Sequence, residues 1–222
     1  MMGTIAGQFD KLAAVYERNR LSGWYKAQAD YAIAELGESE EGLVLDVGCG
    51  TGRLLRKAVG ARPKLQGLGI DISGEMISTA RAEATRECVE SLVFLESDWE
   101  SIEPVVLETG VGSRPIIAAV CVSSLHYFSD PPAAVRKIYE CLSPGAKFVL
   151  VDRAKDGSML TQLWGFLHER IIKDHVRFYS SSELLHIVKN AGFREVRVVT
   201  KIRKLFWKGK YFTSLALISA QK

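Results

Sequence analysis

Several features that would settle a function class at a glance are missing from this sequence. The 222 residues hold four cysteines, Cys49, Cys88, Cys121 and Cys141, and no two form a C-x-x-C pair. They read as reduced, mostly buried thiols of a cytoplasmic protein. No apolar run reaches the roughly 18 residues needed to span a bilayer. Met1 to Phe9 lacks a basic stretch followed by an apolar one, so no signal peptide is expected. The formal net charge is only +3, too small an excess to argue for a nucleic-acid partner. No internal repeat and no low-complexity tract is present. What remains is ordinary for a globular chain: 47% hydrophobic and 25% charged residues, enough length for one α/β domain with a substantial core.

One stretch organises the rest. Leu43-Val44-Leu45-Asp46-Val47 is an apolar run ending near an acid, and Gly48-Cys49-Gly50-Thr51-Gly52 places glycine at every second position. A helical pattern starts directly after it. This predicts a buried strand turning sharply into a helix N-terminus, with a backbone that a polar ligand can approach closely. No Gly-Lys-Ser/Thr follows, so a phosphate-cradling loop of the Walker type is excluded.

In chain order, apolar spacing predicts helices over 5–20 and 24–36, with a break at Ser22 and Gly23. Strand 43–47 and a helix from about 52 to 59 follow. Leu65 to Ile70 is a strand closing on Asp71, and Ser73 caps a helix carrying Met76, Ile77 and Ala80. Leu92 to Leu95 is a strand followed by Glu96-Ser97-Asp98-Trp99. A short helix is expected over 101–109. Ile116 to Val122 reads as a strand buried on both faces. Ser123-Ser124-Leu125-His126-Tyr127-Phe128 follows it, and Asp130 caps a helix that starts with Pro131 and Pro132. Lys147 to Val151 is the fifth strand, ending in Asp152. The rhythm lapses over 153–179, where an amphipathic helix is expected. Ser180–Ser182 starts a helix to about Ala191, and Phe193–Thr200 and Tyr211–Ala220 form a final antiparallel pair. Alternating strands and helices argue for a doubly wound, mostly parallel sheet. Its ligand crevice lies at the strands' carboxyl ends. Those ends carry Asp46 and Gly48, Asp71, Asp98, and Ser123 to His126.

The spacing G-x-G-x-G differs from the G-x-G-x-x-G of dinucleotide sites. Asp71, 19 residues past Gly52, is placed for ribose hydroxyls, and Asp98 for an adenine amino group. In combination, Val44 to Gly52, Gly69-Ile70-Asp71-Ile72-Ser73 with Met76, Ser97-Asp98, and Leu142-Ser143-Pro144-Gly145 resemble the successive signature segments of class I S-adenosylmethionine-dependent methyltransferases. The resemblance is greatest to their small-molecule, ubiquinone/menaquinone-type branch. Phe9-Asp10-Lys11-Leu12-Ala13-Ala14-Val15-Tyr16-Glu17 is similar to the opening of that branch. The resemblance covers about residues 8–152.

It implies a Rossmann-like seven-stranded sheet of order 3-2-1-4-5-7-6 with the last strand antiparallel. The chain is then one domain: a helical cap (1–40), a cofactor core (41–152), a substrate-cap insertion (153–179), and a final helix and strand pair (180–222). It further implies S-adenosyl-L-methionine as cofactor and S-adenosyl-L-homocysteine as product. Gly48, Cys49, Gly50 and Gly52 would form the floor under the methionine part and ribose, with Asp46 facing the amino group. Asp71 would bind the ribose hydroxyls, with Ile72 and Met76 beside the nucleoside. Asp98 and the Trp99 backbone would read the adenine edge. Ser123 and Leu125 would lie beside the sulfonium, and Tyr16 would close over the methionine end.

The acceptor is expected to be small and partly hydrophobic, lined by Tyr16, Trp24, Tyr25, Trp164, Phe166, Phe178 and Tyr179. His126 reads either as a general base or as a hydrogen-bonded wall residue, and both readings stay open at this point. Asp130-Pro131-Pro132 is better read as a helix cap than as an amino-methyltransferase motif. His168 and His175 with Glu169 and Asp174 fit no standard metal spacing. The cluster Lys201, Arg203, Lys204, Lys208 and Lys210 around Phe206 and Trp207 is read as a basic hairpin. A nucleic-acid or protein methyltransferase, and an NAD-binding oxidoreductase, are the alternatives in other classes.

Overall fold

The computed structural model describes residues 5–16, 22–37, 41–60, 62–103, 114–155, 177, 179–203, 206–207, 210–211 and 214–222. Two helices come first, α1 (Ile5–Tyr16) and α2 (Ser22–Leu36). Five parallel strands follow: β1 (Gly42–Val47), β2 (Leu65–Asp71), β3 (Leu92–Glu96), β4 (Ile116–Val122) and β5 (Lys147–Ala154). Between them run α3 (Arg53–Gly60), α4 (Gly74–Arg86) and α5 (Pro131–Cys141). The chain then forms α6 (Ser181–Asn190), β6 (Arg194–Arg203), a ribbon of β7 (Phe206–Trp207) and β8 (Lys210–Tyr211), and β9 (Ser214–Gln221).

The main sheet has the order β3-β2-β1-β4-β5-β9-β6. Leaving the ribbon aside, this is the expected 3-2-1-4-5-7-6, and β9 runs antiparallel to both neighbours. The chain winds outward from β1 to β3, then returns to lay β4 against the other side of β1. The crevice between the diverging carboxyl ends of β1 and β4 is therefore the switch point where such sheets take their ligands.

Alternation along β1 explains why the sheet is covered on both sides. Leu43, Leu45 and Val47 face one layer, which includes Ala134, Val135 and Ile138 of α5 and Leu184 and Val188 of α6. Val44 faces the other, with Ala32 and Leu36 of α2, Leu54 and Leu55 of α3, and Ile77 and Ala80 of α4. Every residue of β1 is buried, as a central parallel strand requires.

The caps follow their sequence signals. Ser73 Oγ accepts from Met76 N, and Asp130 accepts from Ala133 N. Ser180 and Glu183 form a reciprocal capping box. Some boundaries differ from expectation. Helix α2 includes Ser22 and Gly23, so the expected break at those residues is corrected. Strands β5 and β6 run longer because their ladders with β9 continue to Ala154↔Ser214 and Arg203↔Ser214. Tyr211 consequently belongs to the ribbon, paired with Phe206, and β9 starts at Ser214. The helix expected over 101–109 lies outside the described residues beyond 103, as do 156–176 and Phe178 of the expected insertion.

Candidate active site

The glycine stretch closes β1 with three residues at positive φ: Gly48 (76°), Gly50 (52°) and Gly52 (70°). At Gly48 a side chain would also force a neighbour to shift, because a Cβ would lie 2.4 Å from Ser124 Cβ. At Gly50 the same Cβ would meet nothing within 4 Å. The backbone there borders open space, which suits close approach of a ligand.

Neighbouring strand tips hold the loop rigidly. The N–H groups of Gly48 and Cys49 both donate to Ile70 O, at 2.8 and 3.0 Å. Asp71 Oδ2 accepts from Gly50 N at 2.8 Å and Oδ1 from Ser73 N at 3.0 Å. Arg56, 3% exposed, donates to Thr51 O and, 3.0 Å away, to Glu87 Oε2, which ties the loop to the far end of α4.

Two adjoining cavities open at this floor. One, of about 600 Å³, is bordered by Tyr16, Tyr25, Lys26, Asp46, Gly48, Cys49, Gly50 and Arg53. The second, of about 960 Å³, shares Tyr16, Gly48 and Gly50 with it. It continues past Asp71, Ile72, Met76, Asp98, Trp99 and Ser123, with Phe9, Tyr127 and Phe128 as aromatic walls. The structure thus brings together most of the residues expected at a cofactor.

Gly52 and Leu125 border neither cavity. A Cβ on Gly52 would meet the Phe94 ring at 2.5 Å, so Gly52 allows β3 to pack under the loop. Leu125 is fully buried in the core. Trp99 presents little of its side chain, because its indole Nε1 donates to Ala134 O at 3.1 Å and the ring is 2% exposed. Asp98 Oδ1 accepts from Glu100 N at 3.0 Å, a turn that fixes the tip of β3.

The electrostatics select for a cation. Burial, with the Asp71 charge adding to it, pushes the Asp46 carboxyl up to about 8. Burial also raises Asp71, against the lowering effect of its backbone N–H donors. The Cys49 thiol is pushed well up by burial and by the same two acids, which leaves it protonated and inert. A cationic group beside Asp46 and Asp71 would offset the cost of ionising these buried acids, so they favour a positively charged part of a ligand. A sulfonium and an α-ammonium have that charge, so the donor set fits S-adenosylmethionine.

Helix α1 covers the trough. Phe9 meets Tyr127 edge-on at 5.2 Å, and Tyr16 stacks on Tyr25 at 4.7 Å. Asp10 Oδ1 accepts from Ser73 Oγ at 2.6 Å, which clasps α1 to the N-terminus of α4. At the tip of β4, Ser123 has a φ of 53° and its Oγ donates to Gln28 Oε1 on α2. Ser124 Oγ donates to Val47 O at 2.9 Å, bridging the two strand ends of the switch point. His126 is 1% exposed, with Nδ1 2.6 Å from Asp152 Oδ1.

Sequence reasoning did not single out Gln28, Ser124, Asp10 or Asp152 for roles. A polar residue on the buried side of α2 was the signal for Gln28. Asp152 stood in view only as the end of the fifth strand. Trp164, Phe166 and the His168–His175 group lie outside the described residues, as do the side chains of Trp24 and of the basic cluster. Tyr179 is 6% exposed and pairs with Ala154 through a backbone bridge. Among the described residues no helix is long and apolar enough to cross a membrane, and no group of three His, Cys, Asp or Glu is placed to hold a metal.

Known proteins place the chain in a family. A family model described as a methyltransferase domain matches residues 18–198. The uncharacterized methyltransferase YcgJ of Bacillus subtilis is 32% identical over 142 residues, covering 63% of this chain and 52% of that protein. The chain thus spans about half the length of that relative. The ubiquinone biosynthesis O-methyltransferase of Xanthomonas axonopodis pv. citri is 28% identical over 201 residues, 84% of this chain and 80% of that one. The crystal structure of YcgJ superposes with a TM-score of 0.68 at 20% identity, over 89% of this chain and 98% of that one, a likeness of fold. The model matched over most of the chain, the strand order and the acid-marked switch point together place this protein in the methyltransferase domain family, among the class I S-adenosylmethionine-dependent methyltransferases.

Proposed function

We propose that the protein moves a methyl group from S-adenosylmethionine to a small, partly hydrophobic acceptor by in-line displacement. The observation that carries this reading is the contrast within one trough. Acids and open glycine backbone line its floor, while Phe9, Tyr16, Tyr127 and Phe128 line its cover. A charged nucleoside fits the first surface and an apolar acceptor the second.

When bound, S-adenosylmethionine supplies a methyl group already activated as a sulfonium. The chain's own residues have three tasks. Gly48, Cys49 and Gly50 support the aminoacyl and ribose parts, with Asp46 facing the ammonium directly or through water. Lys26 and Arg53 also line the smaller cavity and offer positive charge to the carboxylate. Asp71 takes the ribose hydroxyls; Ile72, 40% exposed, offers an apolar face to adenine beside Met76; and Asp98 with the Trp99 backbone meets the adenine edge. Ser123 stands at the sulfonium end. Helix α1, clasped by Asp10, excludes water and holds the acceptor behind the methyl group. Orientation of that kind supplies up to about 7–11 kcal/mol of a barrier. Gly52 and Leu125 support this site from behind its wall. The cytoplasm is the compartment in which we expect it to act, in keeping with four free cysteines.

The test is transfer of label from methyl-labelled S-adenosylmethionine into a cell extract separated into small molecules, nucleic acid and protein. The reading expects label in the small-molecule fraction and its partition into organic solvent. Label confined to RNA, DNA or protein contradicts it.

A further inference from the structure

Among the residues that α2 buries, Ala29, Ala32 and Leu36 are apolar, and Gln28 is not. Gln28 is fully buried. Its Oε1 accepts from the hydroxyl of Ser123, just past β4, while its Nε2 has no hydrogen-bond partner. A buried amide with its donor unpaired is a costly way to fill a core, and the one thing its side chain holds is the Ser123 hydroxyl. Ser123 lies in left-handed backbone, at a φ of 53°, with its N–H on Val151 O at 2.7 Å. Glycine takes that conformation more easily, so serine keeps an oxygen there at a conformational cost. That residue lines the larger cavity.

A hydroxyl has one hydrogen and two lone pairs. The hydrogen of Ser123 is committed to Gln28, so the oxygen offers the cavity lone pairs alone. Place along the trough decides what they meet. Asp46, Lys26 and Arg53 line the smaller cavity, and Asp71 lines the larger. An aminoacyl group in the first and a ribose in the second leave the atom that joins them at the shared boundary, formed by Tyr16, Gly48, Gly50 and Val122. Ser123 follows Val122 directly. In S-adenosylmethionine the joining atom is the sulfonium.

Resting on the methyl-transfer reading above, we propose that Gln28 is a positioning residue that turns the Ser123 hydroxyl so that only lone pairs face the methylsulfonium, and that the pair thereby discriminates the charged cofactor from its neutral product. The C–H groups of a methyl on cationic sulfur carry positive charge and donate to such an oxygen. A hydroxyl free to rotate could instead aim its hydrogen at the positive sulfur, and Gln28 removes that orientation. After transfer the sulfur is a neutral thioether without the methyl, and the oxygen gains little from facing it. The pair therefore favours cofactor entry over product retention.

Calorimetric titration with S-adenosylmethionine and with S-adenosylhomocysteine tests the proposal and needs no acceptor. In S123A and Q28M, affinity for S-adenosylmethionine is expected to fall about fivefold or more, with affinity for S-adenosylhomocysteine within about twofold of wild type. Q28E, whose carboxyl oxygen still accepts from Ser123, is expected to keep the affinity ratio at or above that of wild type. A side chain that only filled space would weaken both ligands together. Equal loss for the two ligands, an unchanged ratio in S123A, or a ratio in Q28E as low as in Q28M overturns the proposal. S123A changes no apolar core residue and decides the matter should Q28M fail to fold. Failure of the wild-type protein to bind either ligand would instead sink the underlying methyl-transfer reading.

Discussion

The two sides of the crevice are built by different rules. On the β1–β3 side, Asp71 and Asp98 are held by backbone close to them in sequence or on the adjoining strand: Asp71 takes Ser73 N two residues on and Gly50 N from the neighbouring tip, and Asp98 takes Glu100 N. On the β4–β5 side, the polar groups depend on partners brought from far along the chain. Ser123 leans on Gln28, and His126 on Asp152. The first side is a rigid floor shaped by turn chemistry, and the second is a wall assembled only once the sheet has formed. A common cofactor suits the first, and a substrate that differs between enzymes suits the second.

The largest test of that contrast is Asp71→Ala. Two hydrogen bonds to a charged acceptor are worth about 1.5–3 kcal/mol each. Affinity for S-adenosylhomocysteine, measured by calorimetry, is therefore expected to fall about 100-fold or more. Unchanged affinity breaks the assignment of the floor.

Next, Gly48→Ala and Gly50→Ala separate steric from conformational need. Both force a side chain into positive φ, costing roughly 1–2 kcal/mol. Only Gly48→Ala also drives a Cβ into Ser124, the bridge between β1 and β4. Denaturant unfolding is expected to show Gly48→Ala losing roughly 1–3 kcal/mol more than Gly50→Ala.

Asp46→Asn tests the electrostatics of the floor. The folded protein holds the Asp46 proton up to about pH 8, far above its ordinary value of 3.8. A raised folded pKa means that the unfolded chain releases the proton first. The contribution to stability is then fully present below about pH 4 and is lost as pH rises through about 8. Its slope reaches about 1.4 kcal/mol per pH unit. In the ligand-free protein, Asp46→Asn is expected to flatten the fall in stability between pH 5 and pH 8, while weakening cofactor binding. An equally steep fall in the variant would show that Asp46 ionises normally.

The smallest effect belongs to Asp30→Ala. Its ion pair with Lys57 spans 2.6 Å, but both side chains are about half exposed. Solvent screening leaves less than about 0.5 kcal/mol, within reach of careful thermal melts.

The same contrast explains what could be read from sequence. Strand β4 was legible to the residue because seven apolar positions run unbroken between polar flanks. The positions of Asp71 and the glycines at strand tips were legible because a strand tip followed by a helix start is a local pattern. The roles of Gln28 and Asp152 were not, since their partners lie 95 and 26 residues away. The ends of β5 and β6 were misjudged for a related reason. Their length is set by the ladder with β9, a pairing that no local pattern announces.

The central claim is that the floor of the crevice is a site for an aminoacyl-nucleoside cofactor marked by Asp46 and Asp71. Its most direct test is calorimetric titration of the purified protein with S-adenosylhomocysteine and, separately, with NAD. The account predicts saturable one-site binding of S-adenosylhomocysteine that is lost in Asp71→Ala, and no binding of NAD. Saturable NAD binding, or S-adenosylhomocysteine binding indifferent to Asp71, would contradict it.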